Sequence, residues 1–243
     1  MGKNELLKRK SIPKKHLYFV DSKIYSGPPP NKKIRTAILV LTVLIASLAC
    51  KPTPGPQIVP SQPELVELNT IIPDIILDIR YATTNNFTGK AVYPVGRCFL
   101  VKEAAEALAL VQADLRKLGY GLKIYDGYRP LSVQRLFWSI LPDPKFVADP
   151  SIGSRHNRGY AVDLTLVDAA GKEVLMPTPF DDFTEKAGRA YMDLPKEALA
   201  HRALLEAAMT CRGFIPYESE WWHFDFRGYE GKPNLDIPLD SIK

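Results

Sequence analysis

Cysteine is scarce in this chain. Only Cys50, Cys98 and Cys211 occur among 243 residues, and no CxxC pair is present. That excludes a disulfide-dense scaffold and the paired-cysteine zinc and redox motifs. Cys98 and Cys211 remain open to two readings, a pair in an oxidising compartment or two separate thiols. Histidine is nearly as rare, with His16, His156, His201 and His223. An apolar run of about 20 residues, long enough to span a bilayer as a helix, is also missing. Thr36–Cys50 is uncharged and apolar but stops at 15 residues. The chain has no internal repeat. Beyond residue 35 it has no Lys/Arg stripe with interleaved aromatics, so no nucleic-acid partner is expected. Nothing in the sequence specifies an oligomeric state.

The charge that is present is unevenly placed. Residues 1–35 hold ten Lys or Arg against Glu5 and Asp21, whereas residues 36–243 hold 22 basic and 25 acidic residues. The pI of about 9.0 therefore describes a basic head on a slightly acidic body. Lys32, Lys33 and Arg35 precede the apolar stretch, and small residues ending in Cys50 close it. Basic, apolar, small is the layout of a secretory signal. A cysteine at the cleavage point suggests a lipoprotein, lipidated on Cys50. Ser47 and Leu48 depart from the usual residues before such a cysteine, and an uncleaved anchor with its basic side in the cytoplasm is the alternative. Either way the body is expected outside the membrane, on the periplasmic or extracytoplasmic side. Residues 51–63 contain five prolines, which makes an extended linker. The expected organisation is thus 1–50 head and apolar segment, 51–64 linker and 65–243 folded domain, a length able to bury its own core.

Within the domain, Val101–Leu118 carries Leu108, Val111, Leu115 and Leu118 at helical spacing, with Gly119 as a stop. Leu131–Ile140 after Pro130 and Pro195–Cys211 are the other expected helices. Leu122–Tyr125, Tyr160–Val167, Phe214–Tyr217 and Trp221–Phe226 read as strands, with Lys172–Leu175 a possible partner across a turn. The order predicts an α+β domain, helices packed on a small, mainly antiparallel sheet.

Three segments hold chemistry. In SRHNRGYAVD (154–163), His156 precedes a strand that contains Asp163, and Gly159 lets the chain bend between them. Neutral imidazole and carboxylate are good zinc ligands, though this spacing is common by chance. The bland alternative is a loop histidine, with Asp163 paired to an arginine. In ESEWWH (218–223), His223 could supply a third ligand, leaving a fourth position for water. Glu220 could take a proton from that water. Residues three apart on a strand face opposite ways, so Glu220 must lie at a bend to share a site with His223. Trp221 and Trp222 read as core, at least one of them plainly. In DGYRP (126–130), Arg129 could stabilise an oxyanion or a substrate carboxylate, or simply pair with Asp126. A Ser154, His156, Asp163 serine-hydrolase triad is disfavoured, because no Gly loop suited to an oxyanion surrounds the serine. His201 reads as surface or packing.

Together with YATTNNFTGK (81–90), these segments resemble the D-alanyl-D-alanine dipeptidase family, over about Leu65 to Pro238. The resemblance implies a zinc peptidase with one Zn2+ per chain on His156, Asp163 and His223. It implies Glu220 as general base, Arg129 on the tetrahedral intermediate and Ser154 holding substrate. It further implies an aspartate binding the free amine of a small dipeptide, matched by Asp181 with Asp182 as competitor. The rivals are a D-alanyl-D-alanine carboxypeptidase acting on peptidoglycan stems and a non-catalytic lipoprotein binding them. The head, apolar run and linker have no counterpart in cytoplasmic relatives and imply a membrane attachment.

Overall fold

The computed structural model describes residues 63–243. The basic head, the apolar segment with Cys50, His16 and the proline-rich linker up to residue 62 lie outside the described residues. The elements are β1 (Leu65–Glu67), α1 (Leu68–Ile71), β2 (Ile76–Leu77), β3 (Phe99–Val101) and α2 (Lys102–Arg116). They continue as β4 (Tyr120–Asp126), α3 (Leu131–Ile140), β5 (Ala161–Asp168), α4 (Lys196–Thr210), β6 (Phe214–Pro216) and β7 (His223–Phe226). A five-stranded sheet runs β2-β4-β5-β7-β6, and β1 pairs with β3 alone. Only β2 against β4 is parallel. The expected α+β domain with a mainly antiparallel sheet is what forms.

Helix α2 turns Ala104, Ala105, Leu108, Val111 and Leu115 inward, the stripe its periodicity predicted. Leu118 does not join it. The helix ends at Arg116, Gly119 takes φ 81°, and Leu118 is left 61% exposed. A left-handed glycine closes the last turn and swings the preceding side chain off the buried face. Helices α2 and α4 pack on each other and on the sheet. The central strand β5 is buried from Ala161 to Val167, because β4 and β7 flank it and packing covers both its faces. Lys172–Leu175 does not become a strand. It contributes one bridge, Val167 with Glu173, plus the Val174 N–H on Leu166 O at 3.2 Å.

Trp221 and Trp222 are both about 1% exposed and meet edge to face at 5.5 Å. Each contributes about 2–3 kcal/mol of apolar burial. Trp221 also donates its indole N–H to Thr178 Oγ1 at 3.0 Å, which satisfies its polar atom. Cys98 is buried and Cys211 exposed, and they are not bonded to each other.

Candidate metal centre and substrate pocket

Sheet register assembles the centre. Asp163 on β5 lies opposite His223 on β7 on one side and Asp126 on β4 on the other. Directly opposed residues share a face, so three polar side chains form one row across the sheet. The pairing of β4 with β5 is irregular between Ile124 and Asp126, and this shift brings Asp126 into the row. His156 arrives from outside the sheet, on a short 3-10 turn closed by Gly159 at φ 75°. A Cβ on Gly159 would lie 2.6 Å from Leu65 Cδ2, so this position requires glycine for conformation and for space.

The three expected ligands meet. Asp163 Oδ1 is 2.9 Å from His223 Nδ1 and 3.4 Å from His156 Nε2, and the two ring nitrogens are 3.2 Å apart. Bonds of about 2.0–2.1 Å at tetrahedral angles separate ligand atoms by about 3.3 Å, so the triangle has the size of a zinc face. Proton placement supports the same fit. His156 Nδ1 donates to Gly127 O at 2.7 Å, and His223 Nε2 donates to Asp225 Oδ1 at 3.0 Å. With those N–H groups engaged, the other nitrogen of each ring, His156 Nε2 and His223 Nδ1, faces the carboxylate. Three lone-pair donors facing one point, buried together, is a donor set that suits a cation. Burial opposes charging His223, but its hydrogen bonds to Asp163 and Asp225 outweigh that and raise its pKa well above the ordinary value, so a bound cation would take the place of the proton on Nδ1. Asp163 moves the other way, far below the usual carboxylate range. Its burial is overcome by the pull of both imidazoles.

Glu220 precedes β7 in a turn, as its three-residue offset required. Its Oε2 is 3.8 Å from His223 Nδ1, near the centre yet outside the ligand triangle. Burial pushes its carboxyl up to about 8, against the pull of His223. Arg129 does pair with Asp126, at 2.7 Å from Nη2 and 3.1 Å from Nε, and Nη1 donates to Gln134 Oε1 at 2.9 Å. The ion pair and the pocket position coexist: Arg129 still lines the cavity, held by an acid and an amide beneath it. Ser154 also lines the cavity, and its Oγ accepts from the His156 N–H at 3.2 Å, which leaves its O–H free to donate.

Asp181 and Asp182 stand in different surroundings. Asp181 lines the cavity with its carboxylate 3.2 Å from Tyr81 Oη, whereas Asp182 accepts from the Thr184 N–H in a local turn. Burial, with Asp163 adding repulsion, raises the Asp181 carboxyl to about 7. Asp181 also has φ 60° and is the only non-glycine residue with positive φ among the described residues. The cavity measures about 130 Å³. Drug-sized ligands use about 300–1,000 Å³, so this pocket suits something much smaller. Phe87, Phe146 and Phe183 wall it, with ring centroids 5.5 and 4.9 Å from Phe183.

Four contributors were not read from the sequence as site residues. Asp225 orients His223, and the His-x-Asp alternation on one strand face was a usable signal. Gln134 supports Arg129 from α3. In the sequence, Asp126 reads only as the partner of a structural ion pair. Tyr81 was quoted inside YATTNNFTGK without a chemical role, yet it reaches Asp181 across 100 residues of chain. The rest of that segment is a self-braced loop. Asn86 Nδ2 donates to the carbonyls of Arg80, Thr83 and Lys90, and Asn86 Oδ1 accepts from Thr88. His201 packs away from the site, with Nδ1 2.9 Å from Leu175 O.

A water placed at this centre would have lone-pair ligands for a cation on one side, a high-pKa carboxylate on another and a guanidinium facing the same space. That division of labour, on a mainly antiparallel sheet, defines a metal-dependent peptidase. A family model described as D-ala-D-ala dipeptidase matches residues 61–235. The chain belongs to that family. It is 43% identical over 162 residues to the D-alanyl-D-alanine dipeptidase of Escherichia coli (strain K12), covering 67% of this chain and 84% of that protein. It is 33% identical over 195 residues to the D-alanyl-D-alanine dipeptidase of Enterococcus faecium, covering 71% and 96%.

Proposed function

We propose that this chain hydrolyses D-alanyl-D-alanine to two molecules of free D-alanine, using one zinc ion held by His156, Asp163 and His223. The observation that carries this reading is the triangle of buried ligand atoms, 2.9 to 3.4 Å on edge, with Glu220 beside it. Bound zinc supplies Lewis acidity to the scissile carbonyl and lowers the pKa of its water. Glu220, beside the ligand triangle but outside it, accepts the proton of the attacking water and returns it to the departing amine. Arg129 offers N–H donors to the oxygen on which negative charge develops, and Asp126 keeps that guanidinium in place. Ser154 donates its free O–H to the substrate. Asp181 and Tyr81 receive the substrate ammonium, which favours a free amino terminus. The small aromatic-walled cavity supports a dipeptide over a longer stem.

The test is release of D-alanine from D-alanyl-D-alanine by the purified chain, with and without a chelator, beside the N-acylated dipeptide. Hydrolysis of the free dipeptide alone, lost with chelator and restored by zinc, is expected. Equal or better cleavage of the acylated form would replace the dipeptidase with a carboxypeptidase.

The same proposal includes export and lipidation on Cys50, supported by the basic, apolar, small order of residues 32–50. Incorporation of a labelled acyl chain that disappears in Cys50→Ala is the expected result. Equal labelling of the variant would sink it.

A further inference from the structure

Glu220 and Trp222 ride on the turn between β6 and β7, and His223 opens the strand that follows. Within the turn the Tyr217 N–H donates to His223 O at 3.1 Å, but the bonds that involve Glu220 are weak. Glu220 N–H to Tyr217 O and His223 N–H to Glu220 O are both long, at 3.4 Å. Most of its firm attachments come from outside. Arg189 Nε donates to Tyr217 O at 2.9 Å, and Nη2 donates to Trp221 O at 3.1 Å and His223 O at 3.2 Å. The Arg189 backbone N–H adds Glu218 O at 2.9 Å, and the Trp221 N–H returns to Ala187 O at 3.0 Å.

The clamp is itself fixed. Arg189 Nη1 meets Glu206 of α4 at 2.9 Å, and the guanidinium lies over the Phe224 ring at 4.5 Å. Arg202, also on α4 and buried, donates to Gly188 O at 3.3 Å and Tyr191 O at 3.1 Å, bracing the segment that carries Arg189. Arg189 does not line the substrate cavity. Only a planar fork of donors can hold three carbonyls spread along a turn; a lysine is a point charge on a flexible stem.

We propose that Arg189 is a positioning residue for hydrolysis: by holding the carbonyls on either side of Glu220, and that of His223 itself, it sets where the proton acceptor and the third metal ligand stand. The turnover part of this inference rests on the dipeptidase reading; the metal-affinity part does not.

The experiment compares Arg189→Met, Arg189→Lys and Glu206→Gln in the full chain. Three quantities are read: kcat and KM on D-alanyl-D-alanine, zinc affinity by chelator competition without substrate, and thermal unfolding of the metal-free protein. Arg189→Met is expected to lower kcat and zinc affinity by about 10–100-fold, the usual effect of losing an outer support of a metal site. KM should hold, because Asp181 and Tyr81 lie on other segments. Arg189→Lys should lose both in smaller measure. Glu206→Gln removes only the outer ion pair and should keep both. A folded Arg189→Met or Arg189→Lys protein with wild-type kcat and zinc affinity overturns the proposal. So does a Glu206→Gln loss equal to that of Arg189→Met. If Arg189→Met does not fold, Arg189→Lys decides by the same criteria. A wild-type chain inert on the dipeptide would sink the dipeptidase reading, and the zinc measurement would still decide on Arg189.

Discussion

The two ends of the cavity are built differently. At the metal end, Asp163, His223 and Asp126 stand on three adjacent strands, so their spacing is inherited from backbone pairing. At the amine end, Asp181 sits in a loop at φ 60° and is held by one tyrosine hydroxyl and a surround of aromatic rings. A strand row is rigid because every residue shares its geometry with its neighbours. A loop residue has to be fixed by packing from outside. Two of the three ligands draw their placement from the sheet, whereas His156 and Glu220, on turns beside it, and Asp181, on its loop, depend on contacts from outside.

Substitutions can break this contrast, beginning with the largest effect. Glu220→Ala should cut kcat by about 10²–10⁴-fold. The variant should still bind one zinc by metal analysis, because Glu220 stands outside the ligand triangle; a variant with normal turnover would remove its role as base. Asp181→Asn should raise KM by about 10–100-fold, the worth of one charged hydrogen bond, with a smaller change in kcat. The two ends should separate in pH as well. A carboxyl raised to about 7 is uncharged below that pH, so wild-type KM should fall as pH climbs from 6 through 7. The fall should vanish in Asp181→Asn. A KM with the same pH profile in both proteins would assign amine recognition elsewhere.

Asp225→Asn probes the metal end without touching a ligand. Zinc affinity should drop by about 10–100-fold in chelator competition, because His223 loses the carboxylate that orients it. Unchanged affinity would mean that strand register alone suffices. Tyr81→Phe should have the smallest effect. It removes one hydroxyl and keeps the ring among Phe87, Phe137 and Phe180, so KM should rise by about 2–10-fold with thermal stability preserved.

The metal end was also the more legible in the sequence. Histidine is rare here, so His156 and His223 stood out, and strand-like residues around Asp163 placed it. Period-two geometry requires a bend at Glu220 if it is to share a site with His223. The supports were hidden for a common reason. Asp126 enters the row through an irregular pairing, Tyr81 meets Asp181 across 100 residues, and Arg189 acts on carbonyls, which every residue has. Composition and periodicity report local preference; register and long-range contact are decided when the domain packs. Leu118 and Lys172–Leu175 went astray in the same way. The first was carried past its stop by a smooth apolar spacing. The second is strand-like in sequence, but neighbouring β5 accepts only a brief contact from it.

The left-handed backbone at Asp181 bears on how this protein responds to selection. An L-residue there gives up roughly 1 kcal/mol that glycine would recover and asparagine would recover in part. A screen that rewards heat resistance alone would drift toward Gly or Asn at position 181. It would return hardier proteins that had forgotten how to choose a free amino terminus. If Asp181 receives the substrate amine as proposed, durability and discernment pull against each other at this one peptide unit.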